Sequence, residues 1–301
     1  MAALPHDVSM IDPGNKPAHD FCAEAYVLSA DLEQPLDEEI TPRSQVVLPK
    51  DGHYQFKKVE PFRFEGILSY ESGYTQVAGY PSSKTVDSKS IGFVTLATSV
   101  LEGLNVLDVV TADRVVAQIS TLHPEYGKGP VPSVTFLGTR FENLRIDGHK
   151  VDVGRDLDIL GARGDHNRSY FDDDEVKSRI SQQNDRIASV KNLPEWASKE
   201  YPRGRPAVNG SGELSCSVVN SLKGCPGTSF GHVIDLPHFG KIFLGELEVE
   251  RIPGNPSKET YDTYKFHLTM IRLEMGCLAE GKAKIVALDS NGRGGKGGGG
   301  S

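Results

Sequence analysis

Apolar and polar residues alternate in short runs along most of this chain, the period-two pattern of strands that bury one face. Val115-Val116-Ala117-Gln118-Ile119-Ser120-Thr121 alternates, as does the start of Phe62-Arg63-Phe64-Glu65-Gly66-Ile67-Leu68. Ser90 to Val100 is rich in Ile, Phe, Val and Thr. Further strand signals fall at Phe21 to Ala30, Val134 to Phe136, Phe141 to Val153, Gly231 to Leu236, Lys241 to Arg251, Tyr264 to Glu274 and Lys282 to Leu288. Asp147-Gly148 sits between apolar residues and predicts a hairpin turn. Pro237-His238-Phe239-Gly240 predicts a tight connection, and the acidic, proline-broken stretch Asp31 to Pro42 reads as loop. Many short strands divided by Gly and Pro predict a mainly β chain, an antiparallel β-sandwich-like domain.

One segment changes period. Val176, Ile180, Ile187 and Val190 recur at helical spacing behind Asp172-Asp173-Asp174-Glu175. An acidic start suits the positive end of a helix dipole. The helix should stop before Pro194, with Trp196 placed to pin it to the sheet and Pro202 to Gly212 as the return. Residues 155–212 therefore predict an insertion at a hairpin carrying one helix. Residues 1–20, rich in Pro, Asp and His, read as a flexible arm. Residues 21–290 read as a single β-rich domain and 291–301, nearly all glycine, as a disordered tail.

The balance of charge narrows the partners. The chain has 41 acidic and 33 basic residues, a formal net charge of −8, and no basic run. Such a surface repels phosphates, so no nucleic-acid partner is expected. Val106 to Val116 is broken by Asp108, Asp113 and Arg114, well short of the about 20 apolar residues of a spanning helix. No direct membrane insertion is expected. The start, Met-Ala-Ala-Leu-Pro-His-Asp, has no basic region leading into an apolar run. The chain is then either cytoplasmic or without a leader it once carried.

Cysteine bears on that choice. Cys216 and Cys225 lie in SCSVVNSLKGCPG, where a disulfide would close a short loop and stabilise by about 2–3 kcal/mol. Cys22 and Cys277, near opposite ends, could join the terminal strands; four reduced thiols are the alternative. Neither arrangement supplies the paired Cys-x-x-Cys ligands of a zinc site.

Candidate chemistry is sparse. Asp172, Asp173, Asp174 and Glu175, with Asp158 and Asp165 upstream, offer oxygens to calcium, although a solvated helix start explains them as well. No other cofactor is expected. His232, Asp235 and His238 could ligate a metal, but positions three apart on a strand face opposite ways. Arg163-Gly164-Asp165 matches a tripeptide of cell-adhesion ligands. Glu246, Glu248 and Glu250 share one strand face, unlike the opposed carboxylates of a glycosidase. There is no Gly-x-Ser-x-Gly elbow, P-loop or His-Glu-x-x-His. Tyr70, Tyr74 and Tyr80 cluster in YESGYTQVAGY, where tyrosines suit protein or sugar contacts or packing across strands.

Several phrases together resemble the choice-of-anchor P family of bacterial surface proteins. Cys22 to Leu28 looks like its opening Ala-Tyr strand. Gly103 to Asp113 (GLNVLDVVTAD) is similar to its Gly-Leu-Asn segment, and Phe141 to Gly148 (FENLRIDG) to its Phe-x-Asn-Leu hairpin. Ile234 to Leu244 (IDLPHFGKIFL) is similar to its Leu-Pro-x-x-Gly hairpin, and Leu268 to Leu288 to its last two strands. The resemblance spans about residues 20–290 in the same order. It implies an exported β-rich domain and supplies no catalytic residues. The chain departs from the pattern in its missing leader, its glycine tail and its helical insertion.

The expectation is therefore a non-catalytic extracellular structural or adhesion protein. It would associate with itself or with cell-surface components through a sheet edge or the tyrosine loop. The alternatives are a carbohydrate- or ligand-binding module using Tyr70, Tyr74 and Tyr80, and a hydrolase assembled from distant residues around His232 and His238.

Overall fold

The computed structural model describes residues 19–82, 85–86, 89–90, 92–124, 131–163, 165–254, 262–276 and 279–294. The first part of the chain forms β1 (His19–Gln34), β2 (Glu38–Arg43), β3 (Val46–Val47), β4 (His53–Val59), β5 (Phe62–Phe64), β6 (Leu68–Tyr70) and β7 (Ser72–Pro81). There follow β8 (Thr85–Val86), β9 (Lys89–Ser90), β10 (Gly92–Val106), β11 (Val110–Pro124), β12 (Ser133–Thr135) and β13 (Arg140–Glu142). Then come β14 (Arg145–Ile146), β15 (His149–Lys150), β16 (Asp152–Arg155), α1 (Asp174–Ala188) and α2 (Glu195–Glu200). The last elements are β17 (Leu214–Ser217), β18 (Val219–Lys223), β19 (Thr228–Phe230), β20 (Val233–Leu236), β21 (Gly240–Ile252), β22 (Thr263–Gly276) and β23 (Glu280–Gly294).

These strands build two large antiparallel sheets, so the chain is mainly β and sandwich-like as the alternation predicts. The first sheet has nine strands in the order β19-β20-β21-β22-β23-β1-β2, with β17 on β21 and β3 on β1. The second has ten, ordered β15-β14-β11-β10-β6-β5, with β12 and β13 on β11, and β7 joining β10 to β4. Ala23, Ala25, Val77, Ala97, Ile119, Phe266 and Leu288 belong to one core cluster and are wholly buried. Polar contacts also link the layers: Ser99 Oγ donates to Tyr26 O at 2.9 Å, and the Thr121 and Ser290 hydroxyls lie 3.3 Å apart.

Asp147 and Gly148 turn β14 into β15 with φ of 48° and 74°, the paired positive values that a tight hairpin needs. The loop expected over Asp31 to Pro42 is instead mostly strand. β1 stays on β23 as far as Gln34, and Glu38–Ile40 pair back onto it as an acidic edge. The arm and tail boundaries shift for the same reason, because His19 and Asp20 pair with Gly294 and Arg293.

The insertion carries two helices, not one. Asp173 caps α1 by accepting from Glu175 N–H and Val176 N–H. Val176 and Ile180 enter the main core, while Ile187 joins Ala197, Tyr201, Phe230, Val233 and Phe243 in a second cluster. Trp196 on α2 fastens this cluster to the sheet. Its indole N–H donates to Asp235 at 2.9 Å, and its ring lies 5.6 Å from Phe230.

Candidate functional site

The register of β4, β7, β10 and β11 decides which side chains leave the core. Gln76 pairs with Phe56 on β4 and with Thr98 on β10, and Thr98 pairs with Gln118 on β11. Side chains paired across a sheet share a face, so Phe56, Gln76, Thr98 and Gln118 form one rank. The next rank is Tyr54, Ala78, Leu96, Ser120 and Thr135, and beyond it lie Tyr80, Val94, Leu122 and Ser133. Neighbouring positions Val77, Ala97 and Ile119 are in the core. These ranks therefore stand on the outer face of the second sheet, and none of their residues is charged.

The middle rank is laced by hydrogen bonds. Gln76 Nε2 and Gln118 Nε2 both donate to Thr98 Oγ1, at 3.4 and 3.2 Å, and Tyr54 Oη donates to Gln76 Oε1 at 3.3 Å. Each amide uses one of its two N–H hydrogens here. Among the described residues Gln118 Oε1 accepts no hydrogen bond. Gly138 (φ 96°) leaves room for it, since a Cβ there would fall 2.6 Å from that oxygen. Thr139 holds the Gln118 backbone on both sides, accepting from its N–H at 3.0 Å and donating to its carbonyl at 3.1 Å.

An aromatic row borders the rank. The rings of Tyr54 and Phe56 are 6.5 Å apart and 17° from parallel, and those of Phe56 and Tyr74 are 5.8 Å apart and 25° from parallel. Offset rings at this distance leave part of each face uncovered. Tyr54 and Phe56 are each 53% exposed, and Tyr80, at the far end of the face, is 46% exposed. Among the described residues β4 pairs only with β7, which leaves its other edge without a partner strand there.

The three tyrosines expected to act together do not gather. Tyr74 and Tyr80 belong to this face, whereas Tyr70 is buried on β6, 5.5 Å from the Phe62 ring, and accepts from Arg43 Nε at 3.1 Å. Glu71 separates β6 from β7, and the two strands pair with different stretches of β10. Tyr54 and Phe56 are the partners the sequence does not advertise.

The acidic quartet is dispersed among cations. Asp172 lies 3.8 Å from Arg251, Asp173 3.4 Å from Arg163, Asp174 2.8 Å from Lys177 and Glu175 3.6 Å from Arg179. The Lys177 hydrogen bond and charge hold Asp174 below the usual carboxylate range. Among the described residues no three His, Cys, Asp or Glu side chains are arranged to hold a metal.

The predicted Cys216–Cys225 bridge is absent: both cysteines are free. β17 pairs with β21 in the first sheet, but β18 pairs with β16 in a separate ribbon. The chain changes sheets between the two cysteines instead of folding back on itself. Cys22 is free and exposed, and Cys277 lies outside the described residues. Arg163, from the adhesion-like tripeptide, has a side chain only 3% exposed, pressed 3.9 Å from the Tyr170 ring centre; Gly164 lies outside the described residues.

The histidines separate too. His232 is buried, Asp235 is taken by Trp196, and His238 is exposed 4.0 Å from Asp147. A relay forms elsewhere. His267 Nδ1 hydrogen-bonds Asp289 Oδ1, His267 Nε2 lies 3.1 Å from Thr269 Oγ1, and Lys265 Nζ lies 3.1 Å from Asp289 Oδ2. Burial acts to raise the Asp289 pKa, but His267 and Lys265 outweigh it and hold the carboxyl low. Two open hollows, of about 540 and 550 Å³, lie away from this relay.

Among the described residues no helix is long and apolar enough to cross a membrane. Residues 19–250 match the model of a family described as a domain of unknown function, DUF8256. No curated protein and no solved structure matches the chain significantly.

Proposed function

We propose, for a chain that belongs to the DUF8256 family, a non-catalytic role: an extracellular adhesion domain that holds its partner against the outer face of the second sheet. One observation carries this reading. On a chain of net charge −8, the ranks from Phe56–Gln118 to Tyr80–Ser133 hold no charge and are edged by exposed aromatic rings. Loss of charge together with aromatic enrichment is the compositional mark of a recognition surface. The resemblance to choice-of-anchor P proteins supports a bacterial cell surface as the setting.

Self-association along the open edge of β4 is the competing use of the same region. Lys57 and Lys58 oppose it, because charged side chains on an edge strand discourage pairing with another strand. Calcium at Asp172, Asp173, Asp174 and Glu175 would stiffen the start of α1 only by displacing the cations that now hold those carboxylates. A rise in melting temperature with calcium, lost in Asp174→Asn, would mark such a site.

The test of adhesion is retention on envelopes of the native host. Wild-type protein should sediment with them. The Tyr54→Ala/Phe56→Ala variant should stay in the supernatant with an unchanged melting temperature. Equal sedimentation of the two proteins would remove this reading.

The Asp289–His267–Thr269 relay favours hydrolysis as a second reading, since an acid, a base and a hydroxyl stand in the order of a catalytic triad. Two features oppose it. Thr269 is 3% exposed. β22 lies between β21 and β23, so the ladders on both sides engage the backbone N–H groups that would serve a tetrahedral intermediate. Covalent labelling by a fluorophosphonate that disappears in Thr269→Ala would establish the hydrolase.

A further inference from the structure

We propose that the partner on this face is a neutral polysaccharide; the inference rests on the adhesion reading and names its ligand class. Charge is the first reason. The three ranks hold no cation, and the two that flank them in the rank of Tyr74, Lys58 and Arg140, already lie 3.6 and 2.7 Å from Glu60 and Glu142. Uronate, sulfate or phosphate groups find little to pair with, and the acidic remainder of the chain repels them. A neutral chain meets no such barrier.

The second reason is the chemistry of the middle rank. Gln76 and Gln118 present primary amides on either side of Thr98, and each amide keeps an N–H hydrogen and oxygen lone pairs for a ligand. Side by side, a donor and an acceptor match the adjacent hydroxyls of a sugar ring, each of which both donates and accepts. An apolar protein surface would leave these groups unpaired on burial, which is costly.

The third reason is the Tyr54–Phe56–Tyr74 row. Its centroid spacings of 6.5 and 5.8 Å are close to the length of one sugar unit. A run of partly uncovered rings therefore offers successive units an apolar face each, while the amides take the hydroxyl edge. Tyr54 belongs to both sets, because its hydroxyl bonds Gln76. An open sheet face admits the middle of a long chain as readily as its end, which suits a polymer.

The experiment uses the full chain and envelopes of its native host, either oxidised with periodate and reduced, or digested with proteinase K. Periodate oxidises adjacent hydroxyls to carbonyls, breaking the carbon–carbon bond between them, and leaves most peptide intact. Retention lost after periodate and kept after proteinase is the expected result. In native gels containing hydroxyethyl cellulose, glucomannan or xylan, at least one polymer should retard the protein. Phe56→Ala and Gln76→Ala should each weaken that retardation about tenfold, and polygalacturonate should have no effect.

The opposite envelope pattern, loss after proteinase and survival after periodate, would overturn the glycan and leave adhesion standing with a protein partner. Retardation that persists in both variants would also overturn it, since the sugar would then bind elsewhere. Failure of wild-type protein to bind untreated envelopes would count against adhesion itself.

Discussion

Gln183 on α1 makes two hydrogen bonds to the backbone of Ser217: its Nε2 donates to Ser217 O at 2.9 Å, and its Oε1 accepts from Ser217 N–H at 2.8 Å. Ser217 ends β17, where the chain leaves the first sheet for the β16–β18 ribbon. Gln183 Nε2 also approaches Val219 O at 3.4 Å, and Ser217 Oγ bridges Leu244 O and Val219 N–H, each at 2.8 Å. The inserted helix thus satisfies backbone groups at the crossing.

Gln183→Leu keeps the volume and removes these partners. A buried backbone donor and acceptor left unpaired cost about 1–3 kcal/mol each, so a loss of about 3 kcal/mol in urea unfolding is expected. A change below about 0.5 kcal/mol would show that the crossing does not depend on this side chain.

Stability should fall on acidification. His19 and His123 have ring centroids 4.7 Å apart, and both nitrogens of His19 and Nε2 of His123 have no hydrogen-bond partner among the described residues. Burial lowers His19 to about 4, with Asp20 opposing in part. It also lowers His123 well below its usual value, helped by His19 and His166. His232 is also lowered to about 4 by burial, against the pull of Glu246. Above about pH 6.5 these rings are neutral folded or unfolded, and stability does not change through them. Between about 6.5 and 4 the unfolded chain takes up protons that the folded chain refuses. Each histidine then costs up to about 1.4 kcal/mol per pH unit. Urea unfolding at pH 7.5 and 5.0 measures the fall, and His19→Phe, which keeps a ring against Phe93, should reduce it. An identical slope in the variant would place the effect elsewhere.

Much of the fold is legible because alternation records one-sided burial: β11 reads off Val115 to Thr121, and the turn at Asp147-Gly148 reads off two residues. The candidate face is not, for two physical reasons. His53 to Lys58 is exposed throughout, so the alternation of Tyr54 and Phe56 with His53, Gln55 and Lys57 does not record burial and does not tell that the aromatic side faces outward. And Gln76, Thr98 and Gln118 meet only through register, which local sequence does not display. The same limit hides His267 and Asp289, paired across β22 and β23. α2, at six residues, is too short for helical periodicity to appear. Tyr70 stands close to Tyr74 and Tyr80 in sequence, but the break at Glu71 sends it to the core.

Gly138 supports the candidate face without touching a ligand. Its φ of 96° is strained for any other residue, and a Cβ would collide with Gln118 Oε1. Gly138→Ala should therefore cost about 1–2 kcal/mol and turn the Gln118 amide from its place beside Thr98. Sugar retardation should weaken more than in an exposed control such as Leu137→Ala. Retardation equal to wild type at reduced stability would mean that Gln118 is not part of the site.

The cysteines test the fold most directly, because a bridge and two free thiols predict opposite chemistry. Burial, with some repulsion from Asp156, pushes the Cys216 thiol up to about 12, and burial pushes Cys225 up to about 11 despite a Ser229 hydrogen bond. The thiolate is the reactive form, so at pH 8 both should resist alkylation while the chain is folded. Cys22 is exposed and should react first, although burial of part of its side chain and the nearby Asp289 raise its pKa as well. Unfolding in urea with iodoacetamide and no reductant should then label Cys216 and Cys225 fully, as read by peptide mass. A peptide joining Cys216 to Cys225 before reduction would contradict the free thiols, and β17 and β18 would have to approach each other differently. Unlinked thiols recovered from exported protein would mean that burial at the sheet crossing, rather than compartment, keeps this pair reduced.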